Sequence, residues 1–150
     1  MDSVHDLLRS KPSTVWTVEP GTSVYAALEL MADKDIGAVL VLERGALVGI
    51  FSERDYARKV ALRGRTSRET TVGELMTQIV YCVRPEQTIE ECLALMTNKR
   101  IRHLPVLDNS DLVGIVTIGD VGKAIISEQR TTIHHLEAYI TGGSVWTTGA

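Results

Sequence analysis

Two short stretches carry the same chemically useful groups at the same spacing. Residues 47–55 read LVGIFSERD and residues 112–120 read LVGIVTIGD, so each closes on a hydroxyl residue and, three positions later, an aspartate. After a strand-like apolar run, that pair suits a helix start, with Ser52 or Thr117 as the cap and Asp55 or Asp120 completing a capping box. The same groups also suit a ligand. Backbone N–H groups at a helix start face an anion, the hydroxyl donates to phosphate, and a carboxylate one turn in accepts from both hydroxyls of a ribose. Arg54 stands inside the first of these stretches.

A further pair, Arg102-His103, precedes the apolar run LPVLD. The plain reading is a surface cation and a hydrogen-bonded histidine, but Arg also supplies a planar fork suited to phosphate. The matching positions in the first half are Gly37 and Ala38, which carry no charge, so two sites built from these halves would be chemically unequal.

The elements that must position these residues follow from a repeat. Sliding the sequence by 65 positions pairs residues 15–55 with 80–120 and leaves 15 of 41 positions identical, so an internal duplication is the plainest origin. A shorter echo, SVHDLLRS at 3–10 against TVGELMTQ at 71–78, lies at an offset of 68. The first copy therefore has three extra residues after it, and each unit opens with a helical turn. Residues 15–18 and 80–83 predict short opening strands, the first closed by Pro20-Gly21. Ser23 then caps a helix in which Val24, Ala27, Leu28 and Met31 fall at i, i+3, i+4 and i+7, and Ile89, Cys92, Leu93 and Met96 repeat the pattern. GAVLVLE and HLPVLD read as buried strands, each followed by a turn and a second strand, and helices follow over 53–62 and 118–128. Pro105 should sit at the start or on an edge of its strand, because it has no N–H to donate.

The fold class is α/β (α+β), two tandem β-α-β-β-α units. Neither is large enough to be comfortable alone, so they should pack with pseudo-twofold symmetry. The expected organisation is a first unit over 1–70 with its helical turn and a polar linker, a second over 71–128, and a C-terminal helix and loose tail over 129–150.

Tandem units with P-x-x-(S/T)-(V/I) before a helix, RHLPVLD on a strand and GI-x-(S/T)-x-x-D resemble paired cystathionine-β-synthase (CBS) domains, or a Bateman module, across residues 3–127. The resemblance implies a stand-alone bacterial regulatory module, without enzyme activity or a catalytic cofactor. It would bind an adenine nucleotide or relative (AMP, ADP, ATP, NAD, S-adenosylmethionine) between the units and form a homodimer. It further implies that the hydroxyl and Asp of each cleft hold phosphate and ribose, while the facing strand comes from the other unit. Ser52 and Asp55 should then look across at Arg102 and His103, and Thr117 and Asp120 at Gly37 and Ala38. Ile36, Val39, Ile101 and Leu104 read most simply as core, although strand-edge apolar atoms also suit an adenine. Val15, Trp16, Val80 and Tyr81 have the same double reading, and the resemblance places them beside the base.

Composition bounds the alternatives. With 44% hydrophobic residues and a formal charge of −3 over 150 residues, the chain is neither a disordered tail nor a protein that coats nucleic acid. Arg54, Arg58, Lys59, Arg63, Arg65 and Arg68 read as a solvated face and linker, with no aromatic platform between them. No apolar run is long enough for a membrane span. Cys82 and Cys92 lack metal or redox spacing and no leader is evident, which predicts inert thiols and a cytoplasmic location. His134 and His135 are adjacent and would point apart on a helix, so they do not make a metal site; TTIHHLEAYI reads as an amphipathic helix that packs on the body or a second subunit. Two rivals remain. A hydrolase using Asp55 or Asp120 would lack any Walker loop or metal cluster, and a ligand-free assembly module would use the same caps purely as structure.

Overall fold

The computed structural model describes residues 2–12 and 14–139, with side chains described as far as 128. In chain order the elements are α1 (Val4–Arg9), β1 (Thr17–Val18), α2 (Val24–Lys34), β2 (Ala38–Glu43), β3 (Ala46–Ser52), α3 (Glu53–Asp55) running into a π-helical segment (Tyr56–Ala61), α4 (Val72–Leu75), α5 (Ile89–Lys99), β4 (His103–Asp108), β5 (Asp111–Thr117) and α6 (Ile118–Tyr139).

Local chemistry repeats between the units. Ser23 Oγ accepts from Ala26 N–H at the start of α2, and Thr88 Oγ1 accepts from Glu91 N–H at the start of α5, each relieving one orphan donor. Both helices stop at a left-handed residue, Asp35 and Arg100. Their inward faces bury Val24, Ala27 and Met31, or Ile89, Cys92 and Met96. Strands β2–β3 and β4–β5 are antiparallel hairpins whose two-residue turns, Arg44-Gly45 and Asn109-Ser110, have both φ angles positive, the geometry that matches strand twist.

The opening strands are shorter than expected. β1 begins at Thr17, pairing in parallel with β2, and leaves Val15 and Trp16 outside it. In the second unit Val80 and Tyr81 lie in no strand, and the pairing shrinks to a single bridge between Val83 and Val106. Pro105 supplies the reason. Its counterpart Leu40 donates its N–H to the carbonyl of Trp16, a bond that Pro105 cannot make to Tyr81. Pro105 stands third in β4 rather than at its start, on the sparsely paired side, where its carbonyl accepts from Val83 N–H.

Helix boundaries also differ. The helix expected over 53–62 is one α-turn followed by the π-helical segment, with Leu62 N–H reaching back five residues to the Ala57 carbonyl. The one expected over 118–128 continues to Tyr139, so a boundary at 128 falls inside α6. The side chains of the TTIHHLEAYI segment, and the tail after it, lie outside the described residues.

Two apolar cores form, and each takes its last piece from the other unit. Val4 and Leu7 of α1 are buried with Val83, Ile89, Met96, Leu104 and Val121 of the second unit. Val72 of α4 is buried with Val24, Met31, Val39, Phe51 and Val60 of the first. The helical turns expected to open their own units are therefore exchanged. The contacts are reciprocal: Ser3 bridges Thr88 as Thr71 bridges Ser23. The exchange accounts for the glycine in both LVGI phrases. A Cβ on Gly49 would lie 2.6 Å from Met76 Sδ and 3.0 Å from the Thr77 carbonyl, and one on Gly114 would lie 2.7 Å from the end of the Leu8 side chain, so a larger residue at either place would make the incoming side chain shift.

Candidate functional site

The exchange draws the two units together around a cleft of about 390 Å³. One wall belongs to the first unit, where β3 runs into α3. Ser52 Oγ accepts from Asp55 N–H at 3.1 Å while Asp55 Oδ2 accepts from Ser52 N–H at 2.9 Å, so the capping box is complete. Oδ2 also accepts from the Ser52 hydroxyl, and Oδ1 accepts from the Thr77 hydroxyl at 3.0 Å and from Lys59 Nζ at 2.9 Å. A carboxylate has about four lone-pair positions, and the protein fills them all. Asp55 is accordingly only 7% exposed.

The opposite wall comes from the second unit, where the chain leaves the left-handed Arg100 and enters β4. Ile101, Arg102 and His103 line it, facing Ser52, Glu53, Arg54 and Asp55. Arg54 crosses the cleft and donates to the Arg100 carbonyl at 2.7 Å. Burial, and then the charge of Arg102, hold the His103 imidazole below its ordinary pKa, so it is neutral at pH 7. Ile50, Ile79, Val80 and Tyr81 supply the apolar lining, with the Lys99 ammonium 5.2 Å from the Tyr81 ring.

The second capping box is built the same way but held differently. Asp120 N–H donates to Thr117 Oγ1 and Thr117 N–H to Asp120 Oδ2, which also accepts from Lys11 Nζ at 2.7 Å. Burial raises the Asp120 pKa, but the Lys11 and Thr117 contacts outweigh it and hold the carboxyl below its ordinary value. Gly37, expected opposite Thr117 and Asp120, instead lines the first cleft, its Cβ position 3.6 Å from the His103 ring. Ala38 is buried in its own strand. Ile36 and Ile101 pack half-buried against the two cores, and Val39 and Leu104 are fully buried. Trp16 mirrors Tyr81, with Lys34 4.5 Å from its ring, and Val15 is half-buried.

The sequence profile of the CBS domain matches residues 4–62 and again 72–127. The chain belongs to the CBS-domain family. CBS-domain pairs are in general regulatory or signal-transduction modules. The chain is 39% identical to the mitochondrial CBS domain-containing protein CBSX3 of Arabidopsis thaliana, over 94% of this chain and 73% of that protein. It is 36% identical to the CBS domain-containing protein YhcV of Bacillus subtilis, over 86% of this chain and 89% of that protein. A solved structure of a candidate signal-transduction protein with CBS domains from Burkholderia ambifaria superposes with a TM-score of 0.83 at 48% identity, covering 85% of this chain and 96% of that one.

Within this CBS pair, the residues singled out from sequence divide between two places. Ser52, Arg54, Asp55, Gly37, Val80, Tyr81, Ile101, Arg102 and His103 meet in the first cleft. Thr117 and Asp120 form the second box and are not among the residues lining that cleft, although Thr117 pairs with His103 across β4–β5. Sequence reasoning missed Thr77, Lys59 and Lys11. Lys59 was legible as an i,i+4 partner of Asp55, but was read as part of a solvated basic face. In that same cluster Arg65 pairs with Glu74 and Arg68 lies over Tyr25. Thr77 and Lys11 reach their carboxylates only through the exchanged turns, which no local pattern announces. Burial raises the pKa of the Cys82 thiol and pushes that of Cys92 up to about 11, so neither is a thiolate near neutrality. Among the described residues no helix is long and apolar enough to cross a membrane, and no cluster of His, Cys, Asp and Glu is placed to hold a metal ion.

Proposed function

We propose that this CBS pair is a non-catalytic regulatory module that binds an adenine nucleotide in the first cleft and signals its occupancy to a partner, acting as a homodimer. The observation that carries the reading is the meeting of Arg102 and His103 from one unit with the Ser52 box from the other across an apolar-lined cleft. Arg102 supplies a fork for phosphate, the neutral His103 supplies a further donor, the Ser52 hydroxyl supplies another once it turns from Asp55 to the ligand, and Ile101, Val80 and Tyr81 offer apolar surface to the base. Because Asp55 is saturated, a ribose must displace Lys59 or Thr77 to reach it, and phosphate contacts lead recognition. A nucleotide that touches both walls favours the closed arrangement of the units over an open one, which is the differential affinity a population shift requires.

A thermal-shift series with AMP, ADP, ATP, NAD and S-adenosylmethionine tests the reading. A ligand at about 100 times its dissociation constant adds roughly 2.7 kcal/mol, or on the order of 5 to 10 °C for a chain of this size. No shift with any of the five at millimolar concentration would remove the nucleotide from the proposal, and a monomer by light scattering with and without nucleotide would remove the homodimer.

The saturation of Asp55 favours a second reading, an assembly module whose capping boxes are purely structural. Native mass spectrometry of the freshly purified protein separates the two, since a co-purified nucleotide mass has no place in the second.

A further inference from the structure

The exchange of opening turns leaves two bodies, the first unit with α4 and the second with α1, whose buried cores share no residue. The chain crosses between them twice, after α1 and after α4. The contacts of the two box aspartates stay inside a body: Lys59 and Thr77 meet Asp55, and Lys11 meets Asp120. Among the described residues, one hydrogen bond runs from body to body. Arg54 Nη1, at the start of α3, donates to the Arg100 carbonyl at 2.7 Å. That carbonyl stands at the left-handed end of α5, where the last C=O groups of a helix have no partner along the chain and carry the negative end of its dipole. The repeat equivalents of the pair are Gly119, which has no side chain, and Asp35, so the second unit cannot return the bond. The tie is one-sided and lies at the first cleft, which Arg54 lines.

We propose that Arg54 is a positioning residue: its bond to Arg100 holds the two walls of the first cleft at their closed separation before any ligand arrives, and it is not itself a phosphate ligand. The consequence for affinity rests on the nucleotide reading given above; the strap does not. Two arginines line this cleft, and they stand differently. Among the described residues the Arg102 guanidinium has no ion pair or hydrogen bond, so its whole fork is open to an anion. Arg54 instead has its guanidinium turned to a carbonyl of the opposite wall. A strap made before binding removes part of the free energy needed to bring the walls together, and that term is the same for every ligand that touches both walls. Arg102 therefore distinguishes AMP from adenosine, and Arg54 does not.

Arg54→Met tests this, since it keeps the aliphatic stem of an exposed side chain and removes the strap. Calorimetry on the full chain should show AMP and adenosine weakened by the same factor, about fivefold for one hydrogen bond lost at an exposed site. A loss confined to AMP would make Arg54 a phosphate ligand, and no loss with either ligand would leave the strap without effect; each result overturns the inference and keeps the nucleotide reading. A second measurement needs no nucleotide. Residual dipolar couplings of the empty full chain should fit both bodies with one alignment tensor in wild type and require two in Arg54→Met. One shared tensor in the variant overturns the inference whatever the calorimetry shows. If wild type binds neither AMP nor adenosine while the couplings change as expected, the nucleotide reading falls and the strap stands.

Discussion

Asp55 and Asp120 occupy the same place in the two repeats, and the molecule holds them by different means. Both close a capping box with the hydroxyl three residues earlier, at nearly equal distances. Beyond the box, Asp55 is held by a lysine one turn along its own helix and by Thr77 of an exchanged turn, while Asp120 is held by Lys11, which arrives from the far end of the chain. The repeat equivalents of the wall differ as well: Arg102 and His103 face Asp55, whereas Gly37 lines that same cleft and Ala38 is buried in β2. A duplicated scaffold keeps the backbone chemistry of its helix starts, because capping is a local requirement. The groups that surround each cap come from elsewhere in the chain and have diverged freely.

The comparison is most easily broken at the exchanged turns. Leu7→Ala removes a side chain buried in the second core and should cost about 2 to 5 kcal/mol in urea unfolding. Its repeat counterpart Leu75 is only partly buried against the first core, so Leu75→Ala should cost clearly less. Equal losses would mean that the two cores depend on the exchange to the same degree.

The difference between the facing walls is sharpened by Arg102→Ala. A charge-assisted hydrogen bond contributes about 1.5 to 3 kcal/mol, so AMP should weaken tenfold or more, and adenosine much less because it has no phosphate to lose. Calorimetry with both ligands reads this directly, and equal losses would show that Arg102 does not hold the phosphate.

The smallest expected effect concerns how Asp120 is held. Its folded pKa lies below the ordinary value of 3.8, so its contribution is complete above that value and is lost as pH falls through the folded one. The Lys11–Asp120 pair is neither fully exposed nor fully buried, which puts its worth at about 1 to 2 kcal/mol, between the surface and buried cases. Lys11→Met should lower stability by that amount at neutral pH and by little at pH 2 to 3. A loss of the same size at both pH values, measured by urea unfolding, would show that the lysine stem and not the ion pair supplies the stability.

Much of this architecture was legible without coordinates. The apolar spacing of α2 and α5 and the hydroxyl-x-x-Asp phrase each depend on residues close in sequence, where capping and periodicity act, and the offset of 65 residues shows each pattern twice. That is why both boxes and both helices stand where the pattern put them. The opening strand of the second unit was misread because a single proline removed a donor whose partner lies in a separate segment. The break at 128 was misread because nothing in the pattern requires a helix to stop there.

By itself the sequence determined that there are two like units, which residues cap their helices, and that the wall carrying Arg102 and His103 has no charged equivalent. Only the tertiary structure decided that each opening turn completes the other unit's core, and hence which lysine or threonine meets which aspartate. The physical reason is range. Capping and amphipathic patterning are settled within a turn or two of chain, whereas the counter-ion of a carboxylate is whatever the packing of distant apolar faces brings within about 3 Å. Leu8 over Gly114 and Met76 over Gly49 are such packings, and they carry Lys11 and Thr77 to their places.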